Sequence, residues 1–185
     1  RYIEIIKKQA GRLINIVNDL LSLSALERVK EIDKKDVNVA AIINDAANLY
    51  KRKAEQKGLK LEVFVPKNLK KVYANEFNME QLFINLIDNA VRYTDRGNIT
   101  IRANHADGDF VEVSVSDTGI GIPKRHIERI FERFYVADKA RSKKSGGTGL
   151  GLAIVKHILN INGGTISVES KEGSGSVFTV RFAVK

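Results

Sequence analysis

Apolar residues at Ile3, Ile6, Ala10, Leu13, Val17 and Leu20 alternate spacings of three and four, and Ile16, Leu23 and Leu26 widen the stripe. This predicts one amphipathic helix over 1–27, about 40 Å long. No complementary helical stripe adjoins it in sequence. The stripe is therefore expected to pack on another chain or on a segment outside this one. The next stretch, "ERVKEIDKKDVN", is charged and aperiodic and reads as a linker. Val39, Ile42, Ile43, Ala46 and Tyr50 predict a second helix ending near Gly58, and "LKLEVFV" alternates as a strand that stops at Pro66.

A third helix is predicted from Asn78, taken as its N-cap, to about Tyr93, with Met79, Leu82, Phe83, Leu86, Ile87 and Ala90 inward. Strands "NITIRA" and "FVEVSVS" flank a turn "NHADGD". There follow "DTGIGIP", a helix over about 123–134, a basic loop, a helix "LGLAIVKHILNI", and two closing strands, "GTISVES" and "SVFTVRFAVK". Helices and strands mix without βαβ repetition. The expected fold is α+β: a two-layer sandwich whose mixed, mostly antiparallel sheet carries helices on one face, preceded by one long helix.

Composition narrows the function classes. The 185 residues are 43% hydrophobic, enough for a sizeable core, and the absence of Cys excludes disulfide and thiolate metal sites. No run approaches the roughly 20 apolar residues of a membrane span. The chain opens in mid-pattern, which suggests part of something longer. The net charge of +9 is spread over dispersed pairs such as Lys34-Lys35 and Lys70-Lys71, without a nucleic-acid-binding motif. Solvated faces account for it, no nucleic-acid partner is expected, and a polyanionic small ligand suits it.

Three segments carry candidate chemistry. On the third helix Asn85, Asn89 and Arg92 fall along one edge of the apolar arc, with Asp88 turned away. Polar groups at a core rim are costly unless used, and amide oxygens and a guanidinium suit a metal–phosphate site. In "VSVSDTGIGIP", Asp117 ends a buried strand beside Gly119 and Gly121, where a carboxylate can accept from an exocyclic amine. In "SKKSGGTGLGLAIVKHI", the glycines precede a helix start. A dinucleotide fingerprint fails because Ile154 stands where its third glycine belongs, and a P-loop fails because Leu152 follows Gly151. A hinged loop before free helix N–H groups remains, suited to an anion.

"NLIDNAVRYT", "DTGIGIP", "FERFY" and "GGTGLGLAIV" together resemble the N box, first glycine box, F box and second glycine box of the sensor histidine kinases, in the family's order. The resemblance spans about 36–185 as a catalytic ATP-binding domain of the Bergerat type. Residues 1–27, ending "LLSLSALE", resemble the second helix of the dimerisation and histidine-phosphotransfer hairpin. The implied organisation is a partial hairpin over 1–30, a linker over 31–38 and the catalytic domain over 39–185.

The resemblance implies roles. Asn89 is the expected principal Mg²⁺ ligand, Asn85 supports it, and Asn85, Asn89 and Arg92 form the catalytic set. Arg92 and Tyr93 contact the nucleotide, Asp117 takes the adenine amine, and Gly119, Gly121 and Ile122 line the base pocket. Phe131 and Phe134 anchor a lid, on which Arg133, Arg141, Lys143 or Lys144 is the candidate to reach phosphate in place of the family's Arg, and Gly147, Thr148, Gly149, Leu150 and Gly151 wrap the phosphates. Thr179 is expected to hold adenine through water.

ATP and Mg²⁺ are the implied ligands. The implied reaction moves the γ-phosphoryl group to a histidine outside this chain, then to an Asp of a response regulator. Expected partners are that regulator, the hairpin of the same protein and, in the parent, a second copy. The implied location is a cytoplasmic domain of a membrane-anchored parent.

The sequence departs from the family pattern at Val136, where many relatives have Arg, and lacks a phosphoacceptor. His105, His126 and His157 begin no His-acid-x-x-x-Pro pattern and read as surface or structural. Two other readings stay open: a degenerate nucleotide-binding module, and a hydrolytic ATPase of the wider fold. The second is opposed by Asn85, which stands where those ATPases place a water-activating Glu.

Overall fold

The computed structural model describes residues 2–28, 32–106, 109–138 and 146–184. Helix α1 (Tyr2–Arg28) is followed by β1 (Lys35–Val37), α2 (Val39–Gln56), β2 (Leu59–Phe64), β3 (Val72–Ala74) and α3 (Glu76–Tyr93). Then come β4 (Gly97–Ala106), β5 (Phe110–Asp117), the single turn α4 (Lys124–Ile127), α5 (Gly151–Asn162), β6 (Thr165–Lys171) and β7 (Gly175–Ala183). The main sheet has the order β2-β4-β5-β7-β6. Only β2 and β4 pair in parallel within it, and the other neighbours are antiparallel.

The sheet's two faces follow from period-two alternation. Ile99, Ile101 and Ala103 of β4, Val111, Val113 and Val115 of β5, and Val180 and Phe182 of β7 are fully or almost fully buried. Helices α2, α3 and α5 cover that face, as the α+β sandwich requires. The centre of the layer is α3, which buries Met79, Leu82, Phe83, Leu86 and Ile87. Its end is fixed by Lys57, whose ammonium donates to the carbonyls of Val91 (2.6 Å) and Thr94 (2.7 Å). A cation at the last turn satisfies orphan carbonyls and complements the helix dipole.

Several elements differ from the sequence-based expectations. Asn75, not Asn78, caps α3: its side chain accepts from the Asn78 N–H, and Asn78 itself is buried. The expected helix over 123–134 stops at Ile127. Beyond it the chain closes i→i+3 turns, and Phe134 adopts φ 61°, which a right-handed helix cannot contain. β4 runs through Asn104, His105 and Ala106, which were expected in the turn. The stretch expected to be irregular before α2 contains β1, which pairs antiparallel with β3. Three-residue strands give too short an alternation to see in sequence.

Along α1, the stripe residues Ile3, Ile6, Leu13, Val17 and Leu20 are exposed. Leu23 and Leu26, on its widened flank, are buried against the body of the fold. No described helix is long and apolar enough to cross a membrane.

Candidate nucleotide site

Strand alternation decides where Asp117 goes. It falls in phase with Val111, Val113 and Val115 and so turns toward the helix layer. It is only 7% exposed. Its Oδ1 accepts from the Gly119 N–H at 2.8 Å, and the Ser176 N–H also supports the carboxylate. Burial pushes its carboxyl above the usual carboxylate range, and the two backbone donors only partly oppose this. A buried carboxylate held by backbone alone keeps acceptor capacity for an incoming donor. Gly119 permits the arrangement: a Cβ there would lie 2.7 Å from Asp117 Oδ1 and 2.4 Å from the Tyr93 carbonyl oxygen.

Asp117 opens into a cavity of about 390 Å³, within the usual range for small-molecule pockets. Gly121 and Ile122 line it, with Tyr93 and Asn89, whereas Gly119, also expected on its wall, does not and instead bonds the Asp117 carboxylate. So do Ile120, Ile130, Leu152 and Phe178, apolar walls that suit a flat ring. Tyr135 and His126 close one side through a bond between the phenol and Nδ1. Thr179 is a correction. Phe178 and Val180 face the helix layer, so by alternation Thr179 points to the opposite face of β7. Ser176 and Phe178 are the β7 residues on the cavity.

Asn89 and Tyr93 also line an adjoining cavity of about 360 Å³, with Asn85, Arg92, Gly147, Thr148, Gly149 and Gly151. Asn85 donates its amide to the Gln81 carbonyl at 2.8 Å, which leaves Oδ1 directed at the start of α5. A Cβ on Gly151 would meet that oxygen at 2.8 Å. No side chain of the described residues caps α5, so its first N–H groups suit an anion.

Asp88 does not turn away as expected. It pairs with Arg92 one turn on and accepts from Lys53 of α2 at 2.7 Å. Burial pushes its carboxyl up, but Arg92 and Lys53 outweigh that and hold it below the usual range.

The residues flanking the glycine loop divide. Leu150 is fully buried, and Gly149 has φ 75° with its Cα seated on the Phe134 backbone, where a Cβ would come within 2.8 Å. Phe131 packs half-buried against the core. Phe134 instead exposes its ring (57%), so it anchors the loop through backbone, not side chain. Arg141, Lys143 and Lys144 lie outside the described residues.

Sequence reasoning missed the contribution of α1. Asp19 accepts from the Thr148 hydroxyl at 2.7 Å, and Glu27 pairs with Arg133. Burial pushes the Asp19 carboxyl upward, against the Thr148 bond and nearby Arg92. Of the three histidines, His105 contacts the Asn68 carbonyl, while His126, read as surface or structural, lines the first cavity.

The donor set bears on a metal. Among the described residues no cluster of three or more His, Cys, Asp or Glu could hold an ion. Asn85 and Asn89 supply hard but neutral oxygens. That fits a magnesium ion whose other ligands are phosphate and water better than a resident ion caged by protein.

Comparison with known proteins agrees with this geometry. Residues 74–185 match the family model for histidine kinase-, DNA gyrase B- and HSP90-like ATPases. The chain is 38% identical over 181 residues to the sensor-like histidine kinase SenX3 of Mycobacterium tuberculosis, covering 97% of this chain and 44% of that protein. It is 41% identical over 189 residues to the phosphate regulon sensor protein PhoR of Pseudomonas aeruginosa, covering 99% and 41%. Thus the chain spans less than half the length of these relatives.

Among solved structures, full-length ShkA in complex with AMPPNP superposes with a TM-score of 0.83 at 30% identity, covering all of this chain and 39% of that one. Histidine kinase ThkA in complex with the response regulator protein TrrA gives 0.78 at 27%, covering 100% and 51%. The chain therefore belongs to the histidine kinase-, DNA gyrase B- and HSP90-like ATPase family, and it carries the ATP-binding catalytic domain of a sensor histidine kinase.

Proposed function

We propose that the two adjoining cavities hold Mg·ATP, and that the chain transfers the γ-phosphoryl group to a histidine on the phosphotransfer hairpin of the same protein. Asp117 accepts the adenine amine, and the apolar walls around Tyr93 and Leu152 take the ring. The phosphates run past Tyr93 toward Arg92, the glycine loop and the start of α5. Asn89, supported by Asn85, would hold magnesium, which when bound would neutralise phosphate charge. The histidine nitrogen attacks the γ-phosphorus, the bond to the bridging oxygen breaks, and ADP leaves with that electron pair. The protein's part is positioning and charge neutralisation.

The observation that carries this reading is the buried Asp117, bonded to backbone N–H groups, in a cavity that continues through Asn89 to a polar, glycine-walled end where Arg92 stands. The exposed apolar stripe of α1 supports pairing with the rest of the hairpin and with a second copy. We assign residues 1–30 to that hairpin, 31–38 to a linker and 39–185 to the catalytic domain. Relay goes to an Asp of a response regulator. ATP supply places the domain in the cytoplasm, with the parent anchored in the membrane by segments other than these. The test supplies a separate protein bearing the hairpin with γ-labelled ATP. Acid-labile label on its histidine is expected; free phosphate alone would indicate a hydrolytic ATPase.

A further inference from the structure

We propose that Lys53 is a second phosphate-binding cation of this site, held beside Arg92 by their shared counter-ion Asp88. The inference rests on reading the cavities as a nucleotide site, and it adds a residue from α2, outside all the nucleotide-binding motifs.

Helices α2 and α3 pack side by side, and Lys53 reaches across from one to the other. Its Nζ lies 2.7 Å from Asp88 Oδ1 and 5.2 Å from the centroid of the Tyr50 ring. The ion pair sits on the wall of the phosphate-end cavity, with Arg92, Asn89 and the glycine loop. Arg92 and Asp88 are largely buried there, at 16% and 19% side-chain exposure, whereas Lys53 keeps 52%. The lysine is thus anchored at one edge and open at the other.

Lys53 and Arg92 stand against Asp88 and Asp19 on this wall, so what favours an anion is the open side of the Lys53 ammonium, not an excess of charge. Two cations share one carboxylate, that of Asp88. An ammonium carries three donors on a compact charge, so bonding Asp88 leaves two for phosphate oxygens. Asp88 then sets the spacing of the two cations. Asp19 also faces Arg92, but its partner is Thr148, so it does not neutralise Lys53 directly. A plain α2–α3 staple would stabilise the fold and treat all adenine ligands alike. A phosphate cation discriminates by phosphate number.

Lys53→Met removes the charge and keeps the length; Lys53→Arg keeps the charge. Calorimetric titration with Mg·ATP, Mg·ADP and adenosine reads the difference. Lys53→Met is expected to weaken ATP by roughly tenfold, from the loss of one charge-assisted hydrogen bond. It should weaken ADP less and leave adenosine unchanged, while Lys53→Arg stays within a few-fold of wild type. Equal ATP affinity in wild type and Lys53→Met, or equal losses for ATP and adenosine, would overturn the role of Lys53 alone. Failure of the folded wild-type chain to bind ATP at all would overturn both this inference and the nucleotide reading.

Discussion

Replacing Asp117 by Asn separates the two effects of one buried carboxylate. The wild-type Oδ1 accepts from Gly119, and an Asn oxygen can keep that bond. Its NH₂ then takes the place of the second oxygen and meets the adenine amine donor to donor. Losing a hydrogen bond to a charged group costs about 1.5–3 kcal/mol, or roughly 10- to 150-fold in affinity. ATP-analogue binding should fall at least that far.

Stability should move the other way. Burial raises the Asp117 carboxyl above 3.8 in the folded chain. The folded state therefore binds the proton more tightly than the unfolded state. Stability from this group is fully present below the unfolded value and is lost as pH rises through the folded pKa. At neutral pH the ionised carboxylate is a net cost, which Asn removes. Each 1 kcal/mol recovered appears as about 2–4 °C in Tm for a chain of this size.

Adenine recognition has the opposite pH dependence, since affinity drops as pH falls through the same pKa. The assay is nucleotide titration and thermal melting of both proteins from about pH 4 to 7.5. A variant that binds ATP analogues normally would refute the adenine assignment. One that melts below wild type at neutral pH would refute the electrostatic argument.

Other substitutions probe the remaining parts. Asn89→Ala should abolish the magnesium dependence of ATP binding, measured with and without chelator; retained dependence would place the metal elsewhere. Asp19→Asn keeps an acceptor for Thr148 but removes a negative charge beside the phosphate cavity. With unit charges about 4 Å apart worth ~1 kcal/mol in water, ATP should bind about fivefold tighter and adenosine unchanged. Gly149→Ala forces a side chain into φ 75° and against the Phe134 backbone. A loss of roughly 1–2 kcal/mol in urea unfolding is expected; a wild-type midpoint would show that the loop is not seated there.

Local periodicity alone determined the apolar face of α3, the alternation of β4, β5 and β7, and the exposed stripe of α1. Each depends on residues two to four apart in sequence. That is why the placement of Asn85, Asn89 and Asp117 was legible: one pair lies on a helix edge, and the acid lies in phase with buried valines. Short or strained pieces were not legible. β1 and β3 are too brief to alternate, and Phe134 leaves the helical region where its composition suggests helix.

Tertiary structure decided which distant side chains meet. Nothing near Asp88 in sequence announces Lys53, 35 residues away, and nothing near Thr148 announces Asp19, 129 residues away. Thr179 fell on the wrong face because a motif position does not carry the phase of the strand beneath it. Charge pairing and wall-building act through space, so only the packed helices and sheet could show that α1 and α2 also line the second cavity.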